Sequence, residues 1–223
     1  MRKLFLPLVV ITAALFAYSP VLINRAPYES TMLLVQKIFY YHFATWMAGT
    51  AALTVCGIAS AIYLFAGTPR ADRIGVASAE LVVIFVGFGF FSGTLWGRKA
   101  WGTWFAGDAR VMMALIVELI FFGYLLVRKY GGPGSEKLAA AMGVFGAATA
   151  PFVYKSVDWW RTIHPKTSVM STLNDTPGGA IMWSTVLFCS VTFVLLFAVA
   201  LAARIRLENL RADLDRLYLA AED

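Results

Sequence analysis

Charge is what this 223-residue chain has little of: Asp, Glu, Lys and Arg make up 14% of it, while 60% is hydrophobic and the mean hydropathy is +0.71. A soluble core of this length cannot bury so much apolar surface, so a soluble globular domain is excluded and the bilayer becomes the expected solvent. Cysteine is nearly absent as well. Cys56 and Cys189 both fall inside apolar runs, where a thiol acts as a small hydrophobe, leaving neither a disulfide framework nor a redox motif. Histidine is limited to His42 and His164, and two imidazoles without cysteine or a clustered third ligand rarely make a closed zinc site. No separate soluble domain and no internal repeat is present, and no nucleic-acid partner is expected.

What the chain does have is apolar length. Hydrocarbon about 30 Å thick needs about 20 apolar residues per helix, and six runs qualify: Leu4 to Leu22, Phe39 to Ala66, Ser78 to Leu95, Val111 to Val127, Leu138 to Tyr154 and Ala180 to Ala203. Their Gly, Ala and Leu content suits close helix packing, whereas barrel strands would alternate apolar and polar residues. The expected fold is an all-α integral membrane protein with six transmembrane helices. Arg2 and Lys3 before the first run resemble the start of a secretory signal; the run is long and no A-x-A site precedes Tyr18, so a retained span is expected.

With the N-terminus cytoplasmic, six spans return the C-terminus to the same side. The inner face then collects eleven basic residues (Arg2, Lys3, Arg70, Arg73, Arg128, Lys129, Lys137, Arg204, Arg206, Arg211, Arg216) and the outer face eight (Arg25, Lys37, Arg98, Lys99, Arg110, Lys155, Arg161, Lys166). The bias follows the positive-inside tendency but is modest. Eight outward cations against Glu29, Asp108, Asp158 and Asp175 suit an anionic ligand or partner; snorkelling at span ends serves as well for Lys37, Arg110 and Lys155. GTPRADRIG and RKYGGPGSEK read as short inner loops, and Glu80 as interfacial. Residues 1–203 form the membrane domain. Residues 204–223, RIRLENLRADLDRLYLAAED, place Ile205, Leu207, Leu210, Leu214 and Leu217 at helical spacing, a cytoplasmic helical tail that meets the membrane surface or a partner, or is simply solvated.

Two outer connections are rich in aromatics: WGRKAWGTWFAGDAR at 96–110 and KSVDWWRTIHPKTSVMSTLNDTPGG at 155–179. One cluster would mean only an interfacial belt. Trp96, Trp101, Trp104 and Phe105 on the same side as Trp159 and Trp160, with glycines between them, suit a planar macrocycle. Both histidines lie on that side, His42 about one turn into the second span and His164 in the last outer loop. Neutral imidazoles are good iron ligands, and a pair on opposite faces would give haem six-coordinate ligation. Propionates would need cations such as Arg98, Lys99, Arg110 or Arg161, and each imidazole needs a partner for its other nitrogen, with Asp158 or a loop carbonyl available. Such a surface position suits loading and unloading of haem. Two other classes stay open: a haem-b anchor subunit of a respiratory electron-transfer complex, and a small permease using Glu118 of the fourth span, a residue otherwise expected to make an interhelical hydrogen bond.

The order of these motifs, KIFYYH, then WGRKAWGTWFAGDAR, then SVDWWRTIH, resembles the CcmC family of haem-handling proteins with a tryptophan-rich WWD motif. The resemblance spans nearly the whole chain. It implies haem b held at the outer face of the bacterial inner membrane by two axial histidines matching His42 and His164, with the ring over Trp101, Gly102, Trp104, Phe105, Asp108 and Arg110. It also implies delivery to the haem chaperone CcmE, beside the ABC-type pair CcmA and CcmB and the small protein CcmD. Enzymatic activity is then at most promotion of haem attachment to that chaperone. The family pattern, approximately WGxWWxWDxR, has tryptophan where this chain has Phe105 and Gly107. Phe105 keeps an apolar face; Gly107 has none.

Overall fold

The computed structural model describes residues 2–29, 32–105, 107–164 and 177–222. Six helices carry it: α1 (Arg2–Arg25), α2 (Ile38–Ala66), α3 (Pro69–Trp101), α4 (Ala109–Tyr130), α5 (Ser135–Trp159) and α6 (Gly179–Glu222), with a short 3-10 turn at Leu34–Lys37 leading into α2. Each of the six is long and apolar enough to cross a membrane, so the chain is a multi-pass, all-α membrane protein. A helix pairs its interior backbone groups within itself, which is what hydrocarbon demands.

The helix ends depart from the hydropathy reading where capping, rather than apolarity, decides. Only Gly67 and Thr68 separate α2 from α3. Gly67 closes α2 in the left-handed conformation, its N–H donating to the Tyr63 carbonyl at 2.8 Å. Pro69 then opens α3 with its fixed φ, and Asp72 lies in the first turn where the helix dipole favours an anion. RADRIG is therefore helix, not loop, and α3 begins nine residues before Ser78. At its other end α3 runs through Trp96, Arg98 and Lys99 to Trp101, so the loop proper starts at Gly102. At the last span the helical spacing of the tail is followed: α6 continues past Ala203 as one helix to Glu222.

α2 is the central helix, packed on α3, α5 and α6. Its Ala44, Ala48, Ala52 and Cys56, spaced one turn apart, are all fully buried, giving a small-residue face along which neighbouring backbones come close. α5 answers with its own small residues. A Cβ added at Gly146 would lie 2.6 Å from the Phe121 ring of α4, and one added at Gly57 of α2 would overlap the Ala147 Cβ of α5. Large apolar side chains such as Ile84, Phe88, Leu119, Phe122 and Val191 point outward instead, as a lipid solvent allows. α1 lies on the outside of the bundle, held by Phe16 against Phe193 at 5.4 Å and by a 2.6 Å hydrogen bond between the Ser19 and Tyr41 hydroxyls.

Polar side chains join helices at the end remote from the histidines. Arg128 of α4 pairs with Asp72 of α3 at 2.8 Å. Arg204 of α6 pairs with Glu80 of α3 and, at 3.2 Å, with Glu208, so Glu80 is tied to another helix. Glu118 faces into the bundle at 6% exposure, its Oε1 close to Gly87 of α3. The expected interhelical hydrogen bond is missing at Oε2, which has no partner among the described residues.

The α2–α5 contact yields a test. Gly57→Ala should cost about 1–3 kcal/mol, the usual range for overpacking, read as a lower thermal midpoint in detergent. Adding Ala147→Gly should restore it; a single variant as stable as the parent would show that the two helices are not in contact there.

Candidate functional site

The site is assembled where α2 begins, α3 ends, α4 begins and α5 ends. On α3, the sequence GFGFFSG puts Gly89, Ser92 and Gly93 on the face toward α2. A Cβ on Gly89 would lie 2.9 Å from the Trp46 ring and one on Gly93 3.1 Å from the His42 ring, so these glycines are what admits the two rings. Between them Ser92 meets His42: its Oγ lies 3.0 Å from His42 Nδ1 and, as donor, 2.9 Å from the Phe88 carbonyl and 3.1 Å from that of Gly89. The single hydroxyl proton is committed to the carbonyls, so Ser92 accepts from His42 Nδ1–H; the ring also has the Gly89 backbone as a hydrogen-bonding neighbour, and no side chain among the described residues bonds Nε2.

The second histidine is held by a carboxylate. After α3, Gly102 turns the chain in the left-handed conformation at φ 75°. Arg98 Nη1 donates to the Gly102 carbonyl while its guanidinium lies over the Trp104 ring, 5.8 Å from the centroid. Thr103 donates to the Phe105 carbonyl at 3.1 Å. Asp108 then caps α4, Oδ1 accepting from the Val111 N–H at 3.0 Å. Its Oδ2 accepts from His164 Nδ1 at 2.7 Å and from the Thr162 hydroxyl, whose oxygen in turn accepts the His164 N–H at 3.0 Å. The Asp108 side chain is 7% exposed. Burial pushes its carboxyl up, but the hydrogen bonds from Thr162, His164 and Val111 outweigh that and hold it below its ordinary 3.8. A depressed carboxylate contributes stability above its unfolded pKa and loses it only as pH falls through the lower folded value, so this bond persists throughout the neutral range. His164 Nε2 has no hydrogen-bond partner among the described residues.

Between the imidazoles the rings form a continuous path. His42 meets Trp96 at 5.6 Å, Trp96 stacks on Trp101 at 6.4 Å and 25°, and Trp101 meets His164 at 5.0 Å. His42 also lies within electrostatic reach of both His164 and Arg110. Trp96 Nε1 is buried without a hydrogen-bond partner among the described residues. Two Nε2 atoms without a side-chain partner among the described residues, a stacked aromatic pair and a buried indole N–H fit a planar, iron-containing anion.

Other sequence expectations are placed differently. Asp158 pairs with Lys155 at 3.3 Å and is the partner of neither histidine. Arg98 is a clasp within its own connection, and together with Lys99 it stands on the last turns of α3 rather than in a loop. Lys37 anchors the opening of α2, donating to the Asn24 carbonyl at 2.7 Å. Trp159 and Trp160 are 56% and 52% exposed, contact each other at 5.8 Å, and make no ring contact with Trp96, Trp101 or Trp104 among the described residues; Trp104, Phe105 and Arg161 are exposed too. Arg110 is half-buried near Asp108, Tyr154 and Asp158 and makes no ion pair among the described residues. Lys166, Asp175 and most of the second connection lie outside the described residues. Ser92 and Thr162 escaped the sequence reading. Ser92 stands one turn before Trp96, and that spacing was the available signal.

Gly107 has φ +64°, a left-handed backbone that side chains disfavour, although the space around it is open. A tryptophan at this position would meet a backbone conformation that L side chains rarely adopt. Gly107→Trp should destabilise the connection by about 1–2 kcal/mol, seen as faster protease cleavage between Trp101 and Arg110 in detergent; unchanged cleavage would show that the connection re-forms without strain.

Heme exporter protein C of Bradyrhizobium diazoefficiens is 32% identical over 189 residues, covering 82% of this chain and 70% of that protein. The protein of the same name from Haemophilus influenzae is 28% identical over 190 residues, 83% of this chain and 76% of its own length. That of Escherichia coli is 26% identical over 157 residues, 66% and 62% of the two chains. Residues 1–219 match the family CcmC, described as Heme exporter protein C, and the chain belongs to that family.

Proposed function

We propose that this chain handles haem b as cargo for cytochrome c maturation, holding it between His42 and His164 and passing it to the haem chaperone CcmE. One observation carries the reading: both of the chain's histidines reach the same aromatic cluster with Nδ1 held by a side chain and no side chain on Nε2 among the described residues. Bound there, the haem iron accepts two imidazole nitrogens as axial ligands. Trp101, Trp104 and Phe105 supply apolar faces beside Gly102, and Trp96 supplies in addition an indole N–H for a propionate. Arg110, half-buried and without an ion-pair partner among the described residues, is the cation best suited to the other propionate. Arg161, Trp159 and Trp160 form an exposed rim that a chaperone can touch.

The name carried by the relatives supports haem export, and the basic-residue bias supports the bacterial inner membrane with the site facing the periplasm and both termini cytoplasmic. The resemblance stated above supports the ABC-type pair CcmA and CcmB and the small protein CcmD as further partners. Residues 204–222 of α6 form the cytoplasmic extension in this arrangement.

The protein purified in detergent should show a six-coordinate b-type absorption spectrum. His42→Ala and His164→Ala should each lower haem retention by at least about tenfold, the smallest loss usual when even an outer partner of a metal ligand is removed. Normal spectra in both variants would sink the ligation. Trp101→Ala should also reduce covalent loading of the chaperone. A haem-replete protein that never loads the chaperone yet exchanges electrons with a respiratory partner would mark an electron-transfer anchor instead.

A further inference from the structure

The two imidazoles are supported by chemically different groups. His164 Nδ1–H donates to a carboxylate at 2.7 Å, and three donors, Val111 N–H, Thr162 Oγ1 and His164 itself, hold that carboxylate in place. His42 Nδ1–H donates to a neutral hydroxyl at 3.0 Å, whose own proton is shared by two helix carbonyls. A hydrogen bond to an anion is shorter and about twice as strong as one between neutral groups, and it draws the imidazole toward imidazolate, making Nε2 the better electron donor. The supports also differ in setting. His42 stands on α2, wedged against Gly93 of α3, while His164 stands beyond the extended Trp160 that ends α5.

We infer that the two axial positions are unequal by construction: His164, backed by Asp108, is the strong ligand that retains the iron, and His42, backed by Ser92, is the weak ligand that yields first. This rests on the haem reading proposed above and adds an order to it. On release the bond between iron and His42 Nε2 breaks, the imidazole keeps its lone pair, and a donor from the acceptor takes that coordination position. No electron is transferred. Haem thus leaves the helix before it leaves the α5–α6 connection. Ser92 and Asp108 are positioning residues in this scheme, acting through the ligands rather than on the cargo.

Carbon monoxide binding to the reduced, haem-loaded protein in detergent tests the order, because carbon monoxide takes the place of the weaker ligand and its vibrational frequencies report the imidazole left on the opposite side. Asp108→Asn should shift the iron–carbon and carbon–oxygen stretches and raise the haem midpoint potential, and asparagine keeps the helix cap. Asp108→Glu should return both toward the parent. Ser92→Ala should leave the stretches unchanged but speed carbon monoxide binding several-fold, and Ser92→Thr should restore the parent rate. The reverse pattern, with Ser92→Ala moving the stretches and Asp108→Asn leaving them, would make His164 the labile ligand and overturn the inference. Stretches unmoved by either variant would overturn it too, by showing that these hydrogen bonds do not set ligand strength. A parent protein without a six-coordinate haem spectrum would instead overturn the haem site itself.

Discussion

The close approach of α2 to α3 is the constraint from which the site follows. It is possible only because α3 presents hydrogen atoms, not side chains, at Gly89 and Gly93, opposite Trp46 and His42. Lipid gives no hydrophobic reward for bringing two helices together, so packing and polar contacts must do it, and small residues make both available. The same approach brings Ser92 within hydrogen-bonding distance of His42, and Trp96, one turn further on, against its ring. A methyl group at either glycine would move all of these at once.

The other half of the site is fixed by one carboxylate with several duties. Asp108 starts α4, orients His164 and secures Thr162, so the end of one connection and the beginning of another share an atom pair. That sharing explains how a histidine outside any helix is held as firmly as one within a span. Charge elsewhere is spent differently. The Asp72–Arg128 and Glu80–Arg204 pairs fasten the opposite end of the bundle, where α6 leaves it as an unbroken helix.

The six spans were legible because apolar length is a local signal, and both histidines and Trp96 and Trp101 were legible because residues so scarce or so clustered stand out. Less visible was anything that depends on capping or on distant pairing. Pro69 and Asp72 extend α3 through a polar stretch that hydropathy reads as loop, and helix hydrogen bonds carry it on to Trp101 after the apolar run has ended. Ser92 lies 50 residues from His42, and Asp108 lies 56 from His164, separations over which periodicity says nothing. Asp158 looked the better partner because it sits near His164 in the chain, yet helix geometry turns it toward Lys155.

Trp96 links the fold to what the fold is for. A buried N–H without a partner costs about 1–3 kcal/mol, and Trp96 Nε1 has none among the described residues, in the middle of the aromatic path between the two histidines. Under the haem reading proposed above, an acceptor brought to that edge of the indole would recover the amount as affinity, which would favour planar guests that carry an oxygen there over purely hydrocarbon ones such as lipid tails.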